Sequence, residues 1–183
     1  MEFMSPVFLA STSGTRIFLI VFLSICSSAR AVEILPVPLH IAVAGDKQKT
    51  EVSILAARRY AAFWNTGNPA YAEAALSPNF NDPTLPQGRL QGLAGALQAS
   101  QAFRTAVPDL SAEITDMVVA GDRVAVRLRL KGHFTGRFGD VVGEGQVINF
   151  QAFDLYRIQG TQIAENWHLE DNLGLMKQMG ILK

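Results

Sequence analysis

Two patterns of apolar residues follow one another along the chain, and they predict helices first and strands afterwards. In TEVSILAARRYAAFWNTGN, apolar residues recur every three or four positions from Ile54 to Trp64. This spacing predicts an amphipathic helix over about residues 51–66. Thr50 is the expected cap at its start, and Gly67 is expected to end it.

Two further helices are expected before the pattern changes. Pro69 suits the first turn of a short helix over residues 69–76, and a longer helix over about residues 93–107 ends at Pro108. Between them, SPNFNDPTLPQGR is rich in Pro, Asn, Asp and Gly. This composition predicts a loop.

Beyond Pro108, apolar and polar residues alternate, as they do in a half-buried strand. The alternation continues on both sides of AGDR, which predicts a hairpin turn at Gly121 and Asp122. Further strands are expected over residues 146–158 and 162–169, joined at QGTQ. Helices followed by an antiparallel meander predict an α+β fold, with about three N-terminal helices packed on one face of a curved sheet. A curved sheet covered by helices on one face encloses a cone-shaped space, and this space can hold a small molecule.

The first 31 residues have the pattern of an export signal. Arg16 precedes IFLIVFLSIC, ten residues without a charge, and SSARA follows with the small-x-small pattern of a cleavage site. We expect cleavage after Ala31 and a periplasmic or secreted protein without stable membrane insertion. A membrane anchor is the alternative, but a spanning helix needs roughly 20 apolar residues and this run is about half as long. Residues 32–49 are then a linker or N-terminal arm, and residues 50–183 the domain.

Composition narrows the chemistry of the exported chain. Of 183 residues, 49% are apolar, which is typical of a globular protein. Cys26 is the only cysteine and lies in the export segment, so thiol catalysis, disulfides and cysteine-ligated metals are not expected after cleavage. Removal of residues 1–31 leaves 14 basic and 15 acidic residues, a balance that gives no support for a nucleic-acid partner. Three scattered histidines do not indicate a metal site.

The densest group of reactive side chains lies near the C-terminus, in IAENWHLEDNLGLMKQMG. In a regular strand, Glu165, Trp167 and Asp171 share one face, and Asn166 and His168 share the other. Trp167 could equally belong to the core. Asp171 could instead cap the final turn through its side-chain oxygen.

Several motifs of this chain occur together in one known group of families. The pattern E-x-W-x-x-x-D-x-x-G-L-x-x-Q-x-G over residues 165–180 resembles the C-terminal signature of the SnoaL-like polyketide cyclase and ester cyclase families. FNDP at 80–83, VPDL at 107–110 and AGDRVAVRLRLKG at 120–132 resemble further motifs of these families, in the same order. The families belong to the nuclear transport factor 2-like superfamily.

The resemblance implies a fold and a kind of site. The fold is a nuclear transport factor 2-like α+β cone with its pocket between helices and sheet. In the cyclases, an aspartate in that pocket is the acid and base for an intramolecular aldol closure, and neither a metal nor an organic cofactor is implied. Carried onto this sequence, Asp171 is the first candidate for that aspartate and Asp82 the second. The candidate substrate-binding residues around them are Trp167, Trp64, Phe80, Phe103, Phe150 and His168.

This chemistry needs a carboxylate in apolar surroundings, where desolvation raises its pKa so that it can take a proton from carbon. The chain departs from the family pattern where histidine is common. It has Asn166 where the families often have E-H-W, and Pro83 where they have D-H. His133 and His168 lie one residue away from such places.

Three functions stay open at this point. The protein can be a cofactor-independent enzyme acting on a small apolar carbonyl or ester compound, or its cone can bind a hydrophobic ligand without turnover. It can also be an assembly module, a homodimer with Arg127, Arg129 and Lys131 at the seam. Export argues against a biosynthetic cyclase, because such enzymes receive their intermediates in the cytoplasm.

Overall fold

The computed structural model describes residues 33–182 of the chain. These residues contain four helices and eight strands. The helices are α1 (Lys47–Thr66), α2 (Pro69–Ala75), α3 (Gly92–Ala106) and α4 (Asn172–Gln178). The strands are β1 (His40–Ala44), β2 (Leu76–Asn81), β3 (Ser111–Ala120), β4 (Arg123–Phe134), β5 (Arg137–Phe138), β6 (Val141–Val142), β7 (Gln146–Gln159) and β8 (Gln162–Glu170). The α+β prediction is confirmed, with three helices before the meander and a short fourth one after it.

Helix α1 begins earlier than the sequence pattern predicts. Asp46 is its N-cap, and its side chain accepts a hydrogen bond from the Lys49 backbone N–H at 3.0 Å. The prediction that Thr50 caps the helix is therefore wrong; its hydroxyl donates to the Asp46 carbonyl instead. Gly67 ends the helix as predicted, with φ at 72°, a left-handed conformation that glycine adopts without steric cost.

Six strands form the main sheet in the order β1-β3-β4-β7-β8-β2. The four central strands pair antiparallel, whereas each edge strand runs parallel to its neighbour. The loop predicted from residue 77 onward is wrong for residues 77–81, because these residues belong to β2, an edge strand that pairs with β8 at Leu76 and Asn81 and tolerates Pro78 between them. Residues 40–44, within the segment expected as a linker or arm, form the opposite edge.

Three register shifts interrupt the pairing of the main sheet. They lie between Leu76 and Asn81 in β2, between Ile114 and Asp116 in β3, and between Arg157 and Ile158 in β7, and such irregularities increase strand twist. The predicted hairpin turn at Gly121 is present, with φ at 63°. Helices α1 and α3 contribute to the hydrophobic core that covers one face of this curved sheet.

The inner face of β7 carries one carboxylate in an otherwise apolar and aromatic row. Alternate residues of this strand are buried, in the order Ile148, Phe150, Ala152, Asp154, Tyr156 and Ile158. Because alternate side chains of a strand point to one face, Asp154 is directed into the core. The candidate site is built around it.

The predicted export signal, residues 1–31, lies outside the described residues. Within residues 33–182, no helix is long and apolar enough to cross a membrane.

Candidate functional site

Asp154 is a buried carboxylate held by three hydrogen-bond donors. Its oxygen Oδ1 lies 2.9 Å from Asn166 Nδ2 and 2.8 Å from His168 Nδ1, and the Tyr156 hydroxyl donates to Oδ2 at 3.1 Å. The strand register explains the arrangement, since Asp154 on β7 is directly paired with His168 on β8, and Tyr156 with Asn166. A buried carboxylate is tolerated when its oxygens are satisfied in this way.

His168 connects this buried group to the surface. Its Nε2 lies 3.5 Å from a Glu170 carboxylate oxygen, and 31% of its side chain is exposed. Burial alone would lower the pKa of His168, but the hydrogen bonds and charges of Asp154 and Glu170 outweigh it and raise the pKa to about 10. At neutral pH the ring is therefore an imidazolium with one nitrogen buried against Asp154.

Thr84 joins a second buried carboxylate to this histidine. The Thr84 hydroxyl accepts a hydrogen bond from the His168 backbone N–H at 2.9 Å and donates to Asp82 Oδ1 at 2.5 Å. The Thr84 backbone N–H donates to the same oxygen at 2.9 Å. Asp82 is 6% exposed, and neither of these two hydrogen bonds involves its second carboxylate oxygen, Oδ2.

Gln91 fixes the backbone of Asp82. Its side-chain amide accepts from the Asp82 N–H and donates to the Asp82 carbonyl, both at 2.8 Å. These two bonds from one planar amide engage the peptide groups on both sides of Asp82. The segment that follows β2 is thereby joined to the residue at which α3 begins.

Two buried tyrosines form an aromatic wall beside the carboxylates. The ring of Tyr60 on α1 lies 5.8 Å from that of Tyr156, and 6.3 Å from those of Trp64 and Phe80. Burial, and then the charge of Asp154, raises the pKa of both phenols. Both hydroxyls therefore remain protonated, and that of Tyr156 donates its hydrogen bond to Asp154.

Four of the predicted site residues line the inner side of the cone or its edge. Asp82 and His168 are joined through Thr84, as described above. Trp64 and Phe80 contact the buried Tyr60. Phe103 on α3 and Phe150 on β7 pack edge-to-face at 5.8 Å elsewhere in the core.

Asp171 and Trp167 are placed elsewhere. Asp171 is exposed and caps α4, because its Oδ1 accepts a hydrogen bond from the Gly174 N–H at 2.8 Å. It therefore lacks the apolar surroundings that the acid/base role requires. Trp167 lies on the outer face of β8, opposite His168, with the Arg123 guanidinium 5.4 Å from the centre of its ring.

Sequence reasoning missed Asp154, Tyr156 and Tyr60 as members of the site. The sequence does contain a pattern that indicates Asp154, since INFQAFDLYRI at residues 148–158 places a single acid in an alternating apolar row. The position of that acid beside Tyr60 and Asp82 was not available from local pattern, because these residues come from distant segments.

The cluster is reached from solvent at the exposed edge of His168 and Glu170, whose side chains are 31% and 32% exposed. Two grooves of about 470 and 260 Å³ on the described surface are lined by other residues. Among residues 33–182, no group of three or more His, Cys, Asp and Glu side chains is arranged to hold a metal ion.

The raised pKa of His168 has a consequence for stability. The pKa of the imidazole is 6.5 in the unfolded chain and about 10 in the folded chain. The contribution of His168 to the free energy of unfolding is therefore complete below pH 6.5 and is lost as pH rises through 10. We expect it to amount to on the order of 2 kcal/mol, less than the full shift implies because the side chain is partly exposed. Urea unfolding of the protein and of His168→Gln at pH 6, 8 and 9.5 measures it. A difference between the two proteins that does not shrink with rising pH would contradict the assignment.

Comparison with known proteins agrees with this architecture. The family model described as SnoaL-like polyketide cyclase matches residues 54–179. The solved structure of a candidate polyketide cyclase from Bacillus cereus is 35% identical, with a TM-score of 0.74, and the match covers 84% of this chain and 99% of that one. TsrD from Streptomyces laurentii is 25% identical, with a TM-score of 0.65 and coverage of 76% and 100%.

A structure described as that of a candidate hydroxylase, AclR from Streptomyces galilaeus, is 20% identical, with a TM-score of 0.64 and coverage of 73% and 88%. At this identity the likeness shows the fold alone, and it illustrates that one fold carries different activities. No curated protein matches the chain. The family match over most of the domain decides the assignment: the chain belongs to the SnoaL-like polyketide cyclase family.

Proposed function

We propose that the protein is a cofactor-independent enzyme that performs acid–base catalysis, of cyclase, isomerase or hydrolase type, on a small apolar carbonyl or ester compound after export. One observation carries the proposal. The His168 imidazolium is held by the buried Asp154, and Thr84 bridges the backbone N–H of the same histidine to a second buried carboxylate, Asp82. An acid and a base in one partly desolvated cluster are what proton transfer at carbon requires.

The two groups have complementary roles in this proposal. Asp82 takes a proton from the carbon next to the substrate carbonyl, while His168 donates the proton on Nε2 to the carbonyl oxygen. The product of this step is an enol, with a neutral imidazole and a carboxylic acid on the protein. Return of the proton to another carbon completes an isomerisation, and attack of the enol carbon on a second carbonyl closes a ring. Asp154 is a positioning residue, because it orients the ring and keeps it charged.

Binding without turnover is the second candidate, and the aromatic lining of the interior favours it. The inner face around Tyr60 and Tyr156 is filled by aromatic side chains that suit an apolar ligand. Such a protein would be stabilised by its ligand through mass action without changing it.

A thermal-shift screen followed by mass spectrometry distinguishes the two. The purified protein is screened against small carbonyls, lactones, esters and sterols, and each stabilising compound is analysed for a change of mass or retention. Conversion that disappears in His168→Gln supports the enzyme. Stabilisation without conversion supports the binding function and contradicts the enzyme.

We also propose that the protein forms a homodimer through the outer face of its sheet. The expected seam residues Arg127 and Arg129 are paired within the chain, with Asp116 and Glu113. An apolar patch lies beside them instead, where Phe153 and Leu169 are paired in register and are 55% and 74% exposed. Sedimentation at micromolar concentration tests this proposal. A monomer, or a dimer unaffected by Phe153→Glu, would contradict it.

A further inference from the structure

A second concave surface lies between the end of α1, the start of α2 and the side of α3. It has a volume of about 470 Å³, within the range of small-molecule sites. Phe63, Pro69 and Leu97 supply apolar walls, and Ser100 and Arg104 supply polar groups. None of the residues of the acid/base cluster, namely Asp82, Thr84, Asp154 and His168, lines it.

Ser100 contributes a hydroxyl that is buried without a partner. The residue is 2% exposed, and its Oγ has no hydrogen-bond partner among the described residues. A buried hydroxyl in a native structure is almost always paired, so an unpaired one that lines a groove indicates a position for a ligand atom.

Arg104 contributes an unpaired donor and a positive charge. One of its terminal nitrogens donates to the Trp64 carbonyl, but its buried Nε has no partner within residues 33–182. No carboxylate of the described residues forms an ion pair with it. Burial lowers its pKa, yet a guanidinium remains charged at any physiological pH.

Gly67 leaves the space in which this guanidinium lies. A Cβ atom at this position would be 2.7 Å from Arg104 Nε, closer than atoms in contact can approach. The glycine that ends α1 thus also places the charged group against the wall of the groove. Ser100 and Arg104 are four residues apart on α3 and therefore lie on the same face of the helix.

We propose that this groove binds a small organic anion with an apolar body, of the class of medium-chain or aromatic carboxylates. The carboxylate accepts hydrogen bonds from Ser100 Oγ and from the Arg104 guanidinium, and its apolar body packs on Phe63 and Leu97. This single interaction satisfies both unpaired donors and neutralises the partly buried charge of Arg104.

Octanoate and its neutral analogue octanamide are the probes, because they differ only in the group that should contact Arg104. Their binding is measured by calorimetry on the intact purified protein and located by NMR of the Leu97 methyl groups and the Phe63 ring. We expect octanoate to bind at least about tenfold more tightly than octanamide and to shift the signals of both residues.

Ser100→Ala is expected to weaken octanoate binding by about three- to tenfold, since it removes one hydrogen bond. Arg104→Gln should weaken it further. Arg129→Gln is the matched control, because that arginine is paired with Glu113 on the outer face of the sheet. Equal affinity for octanoate and octanamide would overturn the proposal. So would full binding to Ser100→Ala, signal shifts confined to the acid/base cluster, or the absence of octanoate binding at millimolar concentration.

Discussion

His168→Gln should lower the turnover of any converted substrate by about 10²- to 10⁴-fold, the range that positioned acid–base groups contribute. Glutamine can still donate a hydrogen bond to Asp154, but it has no proton to transfer. The alkaline side of the pH–rate profile should follow the same group. Because the acid must be protonated, activity is expected to fall as pH approaches about 10, where His168 loses its proton.

The chain contains a matched control for this variant. His133 is also paired with an aspartate, since its Nδ1 lies 2.6 Å from Asp109 Oδ2, but its side chain is 56% exposed at the end of β4. His133→Gln should therefore retain turnover. Equal losses in the two variants, or full activity of His168→Gln, would remove His168 from the mechanism. Asp171→Asn in the same assay tests the role that the family signature gives to Asp171, and full activity would remove it.

Asp154→Asn should lower the free energy of unfolding by about 3 kcal/mol, in the range found when one partner of a buried ion pair is removed. The imidazolium of His168 would lose the buried one of its two counter-charges, and the partly exposed Glu170 would remain. The new amide N–H₂ would also meet donors from Asn166, Tyr156 or His168, because all three present hydrogen atoms to the carboxylate. A buried donor facing a donor costs free energy without any compensating bond.

Urea unfolding at pH 7 measures the effect, with Asp116→Asn as the control. Asp116 carries a similar charge and pairs with Arg127, but the pair lies on the solvent-facing side of the sheet. Its replacement should leave the unfolding midpoint nearly unchanged. A midpoint for Asp154→Asn close to that of the parent protein would show that Asp154 is not a charged partner of His168.

The His168→Gln and Asp154→Asn experiments also separate the roles of His168 and Asp154. Removal of the proton donor lowers turnover at every pH, whereas removal of the residue that holds the donor shifts the pH range over which the donor is protonated. Asp154→Asn is therefore expected to shift the alkaline limb of the pH–rate profile to lower pH, because the hydrogen bond and charge that raise the pKa of His168 are lost.

Local sequence was sufficient for much of this fold. The three-and-four spacing in α1 and the alternation in β4 and β7 are set by burial of one helix stripe or one strand face, and these patterns depend on near neighbours alone. The same alternation correctly separated Trp167 from His168 on opposite faces of β8. Gly67 and Gly121 marked the end of a helix and a hairpin turn because both positions require positive φ.

Other features depended on residues far apart in the chain. SPNFN has the composition of a loop, and it forms an edge strand because β2 is anchored to β8 at both of its ends, at Leu76 and Asn81. Thr84 contacts His168 across 84 residues of sequence, and Asp82 enters the cluster only through that contact. The sequence by itself thus determined the helices, the hairpins and the faces of the strands, since these follow from local periodicity. Only the tertiary structure decided which carboxylate is buried beside the histidine, because burial and pairing of charges depend on packing between distant segments.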